Sequence, residues 1–380
     1  MSGTSLLLVA GEASGDLHGA RLLSELKNLV PSVEAFGLGG GELRRAGLEA
    51  VSEENIAVVG ITEVLKILKK AKAVFRQVLE EVDRRRPRAA VLVDFPEFNL
   101  RLAKELKARG IPVIYYISPQ VWAWRRRRVK QIAQRVDLML VLFPFEAAFY
   151  QGHDVAVCHV GHPLIDEVPE LNHTWNGGKP PEEAFRIALL PGSRSSELEK
   201  LLPRMLETIR HLKKSLPVQP VLIRAATISP EELQPYLDAL EETPEVISED
   251  RFSAIAGCHL ALCASGTATL ETGLLGTPLI VVYRLAPWTY VLAKLLVKVP
   301  FFSLVNLVLE KKVVPELVQG EAEPQRVAER AKALLLAPRE IEQMRRELGH
   351  LRCKLGDRGA SRRAAAAVAP WLTGGEKALP

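Results

Sequence analysis

The chain has 380 residues, too many for one comfortable hydrophobic core, so two domains are expected. With 48% hydrophobic and 25% charged residues it is neither disordered nor an ordinary membrane-spanning protein. A net charge of +5 favours an anionic surface or substrate, without choosing among nucleic acid, nucleotide and acidic lipid. Cys158, Cys258, Cys263 and Cys353 show no metal-ligand spacing and read as reduced and mostly packed. The short apolar run Leu6–Ala10 is followed at once by Glu12 and Asp16, which does not suit a signal peptide, so a cytoplasmic protein is expected.

In chain order, "SLLLVA", "AAVLVD", "PVIYYIS" and "LMLVLF" read as buried parallel strands separated by helical stretches. "GEASGD" (Gly11–Asp16) follows the first strand; its glycines suggest close approach to the backbone, while its carboxylates argue against a bare phosphate cradle. "GLGGGE" (Gly37–Glu42) has Glu42 where a dinucleotide fingerprint needs its third glycine. Walker A, zinc-ligand and nucleophile-elbow patterns are missing from the sequence, which argues against an NAD enzyme or a kinase; no cofactor is expected, and no metal where arginine and helix dipoles stabilise a leaving group. The stretch Thr62–Val82 is amphipathic, with Val64, Leu65, Leu68, Phe75, Val78 and Leu79 on one side and lysines interleaved. It suits either a core-facing helix with a solvated lysine face or a helix lying on a membrane surface.

"VDFPEFNLRLA" puts Asp94 at the end of a buried strand. Pro96 and Glu97 suit the start of the following helix, which leaves Asp94 as a candidate general base or a loop organiser. "SPQVWAWRRRRV" sets Trp122 and Trp124 beside Arg125–Arg128, a pattern open to nucleic acid, sugar, lipid phosphate or a solvated helix start. His162 in "VGHPLID" reads as a hinge or structural residue. Asp166–Ala184 breaks the rhythm with Pro, Gly and Asn and reads as a linker.

Beyond the linker the pattern restarts. "LLPGSRSSE" frees backbone N–H groups at a helix mouth and places Arg194 to grip a diphosphate, against the plainer reading of an exposed arginine beside a capped helix. "CASGTATLE" repeats the arrangement with Ser265, Gly266 and Thr267. Glu271, one turn behind, is suited to accept two ribose hydroxyls, or is simply a solvated glutamate. Tyr283–Lys312 is apolar and aromatic, but its basic residues and prolines rule out a clean span of roughly 20 apolar residues. An interfacial patch or a buried interdomain helix pair fits it. The expected architecture is α/β: two doubly wound Rossmann-like domains facing across a cleft, at 1–165 and 185–345, joined by a linker at 166–184. A helical tail at 346–380 packs back or is exchanged with a partner chain.

"GEASGD", "DFPEFN", "SPQVWAWR", "PFE", "VGHPL", "LLPGSR", "SGTATLE" and "VVPELVQ" occur in this order, and together they resemble the lipid A disaccharide synthase family. The resemblance spans about Leu6 to Arg363 and implies an inverting glycosyltransferase of GT-B type. It implies condensation of UDP-2,3-diacylglucosamine with 2,3-diacylglucosamine 1-phosphate (lipid X) at the cytoplasmic face of a Gram-negative inner membrane. By position, Asp94 and Arg194 match the family's essential residues. Ser265, Gly266, Thr267, Glu271, Asn306 and Gln319 match its UDP side; Glu12, Ser14 and Asp16 match its acceptor-side loop.

Val64, Leu65, Leu68, Phe75, Trp288, Phe301 and Phe302 are the expected lipid-facing side chains, and an anionic membrane surface is the expected partner. The family often dimerises by exchanging C-terminal segments, which suits the helical tail. The sequence departs from the family at Glu97, where a second Asp is usual, and at Gly39–Gly41, where Gly-Gly-Pro is usual. The rival readings are a UDP-sugar epimerase or lipid-intermediate transferase of the same fold, a nucleic-acid-binding module, and a non-catalytic membrane scaffold. The ordered motifs favour the synthase, with no nucleic-acid partner.

Overall fold

A computed structural model describes residues 3–52, 64–121, 128–170, 183–240, 242–284 and 300–375. The chain divides into two compact units, Met1–Pro163 with Leu355–Pro380, and Leu164–Lys354. Of the expected linker, residues 171–182 lie outside the described residues, and Asp166 belongs to a short helix, Leu164–Glu167, of the second unit.

The first unit is built on seven parallel strands: β1 (Thr4–Ala10), β2 (Val33–Leu38), β3 (Glu49–Ala50), β4 (Ala89–Val93), β5 (Val113–Tyr116), β6 (Leu138–Val141) and β7 (Val157–His159). Their order is β3-β2-β1-β4-β5-β6-β7. Helices cover both faces of such a sheet, so its strands are continuous apolar runs; all five residues of β4 are buried. Strand order reverses between β1 and β4, where Ala10 pairs with Val93. The loops after these two strands therefore leave side by side, at the topological switch point where open α/β sheets bind ligands.

The helix Val64–Arg85 presents Val74, Val78 and Val82 to the core and leaves Lys70, Lys72 and Arg76 exposed. Phe75 differs from the lipid-facing expectation. Its ring is half-buried and meets Phe98 edge-on at 5.3 Å, because it lies one residue from the core-facing valine row. The side chains of Val64, Leu65 and Leu68 lie outside the described residues, as do Trp122, Trp124, Arg125 and Trp288. The C-terminal helix Ala360–Thr373 lies against the helix Ala13–Leu29 of the same chain and buries Ala364, Ala365, Val368 and Leu372. The Arg363 guanidinium ties that segment to the sheet by donating to the Val160 carbonyl at 2.9 Å.

The second unit repeats the plan with β8 (Phe185–Leu190), β9 (Val218–Ile223), β10 (Glu245–Ile247), β11 (Leu260–Ala264), β12 (Leu279–Tyr283) and β13 (Glu316–Val318). All are parallel, in the order β10-β9-β8-β11-β12-β13. Here the reversal falls between β8 and β11, where Leu190 pairs with Cys263. Cys158, Cys258 and Cys263 are buried and Cys353 is exposed, all as free thiols. Burial pushes the Cys263 thiol up to about 12 and that of Cys258 to about 11. Among the described residues, no helix is long and apolar enough to cross a membrane.

Candidate functional site

In the first unit, Asp94 and Phe95 leave β4 with φ of 46° and 49°. Consecutive left-handed residues with side chains cost about 1–3 kcal/mol each, so the surroundings must hold them. The Asp94 N–H donates to the Tyr116 carbonyl at 2.9 Å. The Asp94 carbonyl accepts from the Tyr115 hydroxyl at 2.5 Å and from Asn99 Nδ2 at 2.7 Å. Asn99 also donates to the Val93 carbonyl at 3.2 Å and is completely buried. Burial, and after it the Asp94 charge, hold the Tyr115 hydroxyl well above the usual tyrosine range, so it stays protonated and donates. Tyr115 and Asn99 thus position Asp94, and the sequence reading singled out neither. The available signal was an asparagine at a core position between Phe98 and Leu100.

The glycines of the neighbouring loops admit the protein's own side chains. A Cβ on Gly11 would sit 2.4 Å from the Phe95 ring, so the turn after β1 closes only because that residue is glycine. A Cβ on Gly40 would sit 2.6 Å from Asp16 Oδ2. Glu12 and Ser14 are exposed at the start of the helix Ala13–Leu29. Asp16 behaves differently from the expected acceptor ligand. It is buried, and its carboxylate accepts from Gly40 N at 2.7 Å, Glu42 N at 2.9 Å and Leu43 N at 3.2 Å. Those amides open the short helix Gly41–Arg45, so Asp16 shapes the glycine loop. Glu97 pairs with Arg128 at 2.8 Å. His162 is buried 5.2 Å from the Phe143 ring, and burial, aided by the His18 charge, pushes its pKa down to about 3.

In the second unit, the switch point brings "PGSR" after β8 beside "SGT" after β11. Arg194 is the N-cap of the helix Ser195–Lys213, with an exposed side chain whose Nη1 is 3.7 Å from Glu197 Oε1. The Thr227 hydroxyl braces the loop by donating to the Ser193 carbonyl at 2.6 Å. Gly266 opens the helix Thr267–Leu274, and a Cβ there would meet open space, which leaves its backbone accessible. Thr267 is exposed; the Ser265 hydroxyl donates to the Phe302 carbonyl at 3.1 Å. Glu271 is no freely solvated side chain. Burial holds its carboxyl above the usual range, opposed by Arg251, whose Nη2 lies 3.4 Å from Glu271 Oε2.

Asn306 also departs from its expected place among nucleotide ligands. It is completely buried, and its amide donates to the Val314 carbonyl and Glu316 Oε1, both at 2.9 Å. Its Oδ1 accepts from Val313 N at 2.8 Å and Val314 N at 3.0 Å, so its bonding capacity is spent inside the unit. Glu316 completes this brace by accepting from Phe302 N at 3.0 Å and Ser303 N at 2.8 Å. The result is a connected path from Ser265 through Phe302 and Glu316 to Asn306. Gln319 follows β13 with φ of 56° and, with Phe301, Phe302 and Glu316, lines a cavity of about 550 Å³.

The lipid-A-disaccharide synthetase family model matches residues 6–369. The lipid-A-disaccharide synthase of Anaeromyxobacter dehalogenans (strain 2CP-1 / ATCC BAA-258) is 43% identical over 383 residues, covering 96% of each chain. Among solved structures, UDP-GlcNAc 2-epimerase from Neisseria meningitidis, bound to UDP-GlcNAc, superposes with a TM-score of 0.62 at 12% identity, covering 96% of this chain and 99% of that one. MurG of Acinetobacter baumannii superposes with a TM-score of 0.58 at 14% identity, covering 96% and 98%. At such identities these two likenesses concern the fold alone, which is the GT-B glycosyltransferase plan of two parallel-sheet α/β domains.

Proposed function

This chain belongs to the lipid-A-disaccharide synthase family, and from that premise we propose how its residues divide the work. The reaction condenses UDP-2,3-diacylglucosamine with 2,3-diacylglucosamine 1-phosphate, giving UDP and a tetraacyl disaccharide 1-phosphate. The observation that carries it is the family match over residues 6–369, which contains the loops at both switch points.

Asp94 takes the proton from the acceptor's 6-hydroxyl as that oxygen attacks the anomeric carbon. The bond from that carbon to the UDP oxygen breaks on the opposite face, inverting the configuration. Arg194 and the backbone N–H groups at Ser265–Thr267 offset the charge that develops on the leaving diphosphate. Support for Asp94 comes from the three hydrogen bonds that fix its backbone. Support for the diphosphate reading comes from the pairing of β8 with β11, from which these two loops emerge. Glu271 accepts the ribose hydroxyls, with Arg251 favouring its ionised form, and Gln319 lies toward the nucleotide. Glu12 and Ser14 serve the acceptor sugar, while Asp16 and Asn306 hold the loops that present these groups.

Val64, Leu65, Leu68, Trp288, Phe301 and Phe302 meet the acyl chains or lipid, where each buried CH₂ contributes about 0.8 kcal/mol. The exposed Phe302 ring and the net charge of +5 support peripheral binding to an anionic leaflet, at the cytoplasmic face of the inner membrane. The apolar face of the helix Ala360–Thr373 is the element that a homodimer would exchange. We assign the acceptor and its lipid side to the first unit and the UDP-sugar side to the second, with Trp288, Phe301 and Phe302 as the second unit's own lipid-facing side chains.

The test follows UDP release in detergent micelles, with UDP-2,3-diacylglucosamine supplied with and without the acceptor. Release should require the acceptor and fall about 10²–10⁴-fold in Asp94→Ala. Acceptor-independent release would instead indicate hydrolase or epimerase chemistry. Undiminished turnover in Asp94→Ala would remove Asp94 as the base.

A further inference from the structure

The loop that carries Arg194 is built around a carboxylate. Glu197 Oε2 accepts the Ser193 N–H at 3.1 Å, while its Oε1 stands 3.7 Å from the Arg194 guanidinium. Gly192 has φ of 118°, and a Cβ there would lie 2.3 Å from Glu197 Oε2, so the loop closes only with this side chain tucked against a glycine. The Glu197 side chain is 24% exposed against 70% for Arg194, which leaves its charge less screened than that of the arginine it faces. The reach of both charges extends to the end of β12. Burial and then Glu197 hold the Tyr283 hydroxyl above its usual range, with Arg194 opposing.

A carboxylate that accepts the Ser193 N–H and stands 3.7 Å from the arginine that would grip a diphosphate has two consequences. It holds the loop in shape, and it repels the anion that the loop receives. We propose that Glu197 is a positioning residue for Arg194 that also limits how tightly the loop holds the diphosphate, and so eases the release of UDP. This rests on the reading of Arg194 as a diphosphate ligand. Glutamine keeps the size of the side chain and an oxygen for the Ser193 N–H, and removes only the charge.

The experiment measures equilibrium binding of UDP, UMP and uridine to the full chain in detergent micelles, for the wild type, Glu197→Gln, Glu197→Ala and Arg194→Ala. Steady-state kcat and product inhibition by UDP are recorded alongside. Glu197→Gln should bind UDP about tenfold more tightly, UMP less so and uridine unchanged, with stronger inhibition by UDP and a lower kcat. Glu197→Ala should bind UDP more weakly than Glu197→Gln, because the loop loses its brace. If Arg194→Ala loses UDP affinity as expected but Glu197→Gln binds UDP no better than the wild type, the charge has no such role and the inference fails alone. If Arg194→Ala binds UDP as the wild type does, the diphosphate reading fails and takes the inference with it. A merely structural Glu197 would leave Glu197→Gln equal to or weaker than the wild type for all three ligands.

Discussion

Asp16 and Asn306 read in sequence as ligands, and each is taken up by the chain's own backbone. Asp16 bonds amides at Gly40, Glu42 and Leu43, and Asn306 bonds both sides of the Val313–Glu316 segment. A polar side chain at a motif position advertises unsatisfied hydrogen bonds, but its partner is named only when a distant loop arrives. Tyr115 illustrates the converse: inside an apolar strand it gives no sign of holding the Asp94 carbonyl. His162 offers a test at this scale. Its folded pKa of about 3 lies below the unfolded value of about 6.5, so between them the unfolded chain binds the extra proton. Its contribution is complete above about pH 6.5 and is lost as pH falls toward about 3, at about 1.4 kcal/mol per unit. Unfolding free energies from urea titrations at pH 7 and pH 5 should differ by about 2 kcal/mol more in the wild type than in His162→Gln. Equal divergence would show that His162 titrates freely in the folded chain.

Elements were legible wherever a run was long and its period clear. The continuous apolar stretches became parallel strands because both their faces are covered. The amphipathic stretch Thr62–Val82 left two readings open, since a 3.6-residue period reveals an apolar face without naming what covers it. Its described part is settled by Val74, Val78 and Val82, which lie in the core of the first unit. Register adds a constraint that composition hides. Gly37 pairs with Leu8 across β1 and β2 at φ of 145°, where a Cβ would stand 2.0 Å from the Leu8 carbonyl oxygen. Gly37→Ala should therefore lower the unfolding free energy by about 1–3 kcal/mol, read as a drop in the urea midpoint. An unchanged midpoint would mean that the β1–β2 register is not the one described.

At the scale of the whole molecule, an element late in the sequence completes the packing of the first unit. The helix Ala360–Thr373 packs against the helix Ala13–Leu29 of the first unit, and its Leu372 is completely buried. Leu372→Ala should cost about 2–5 kcal/mol in urea unfolding, and no loss would mean that this helix is not seated there. The sequence by itself determined two parallel α/β units, the motif-bearing loops at their strand ends and the family to which the chain belongs. Hydrophobic period, turn residues and motif spacing are local properties, readable along the chain. Only the tertiary structure decided the strand order that sets Gly11 beside Phe95 and "PGSR" beside "SGT". It also decided the donors that occupy Asp16. The strand-order contacts join segments tens of residues apart. Their pairing is set by shape and burial, which the one-dimensional pattern does not carry.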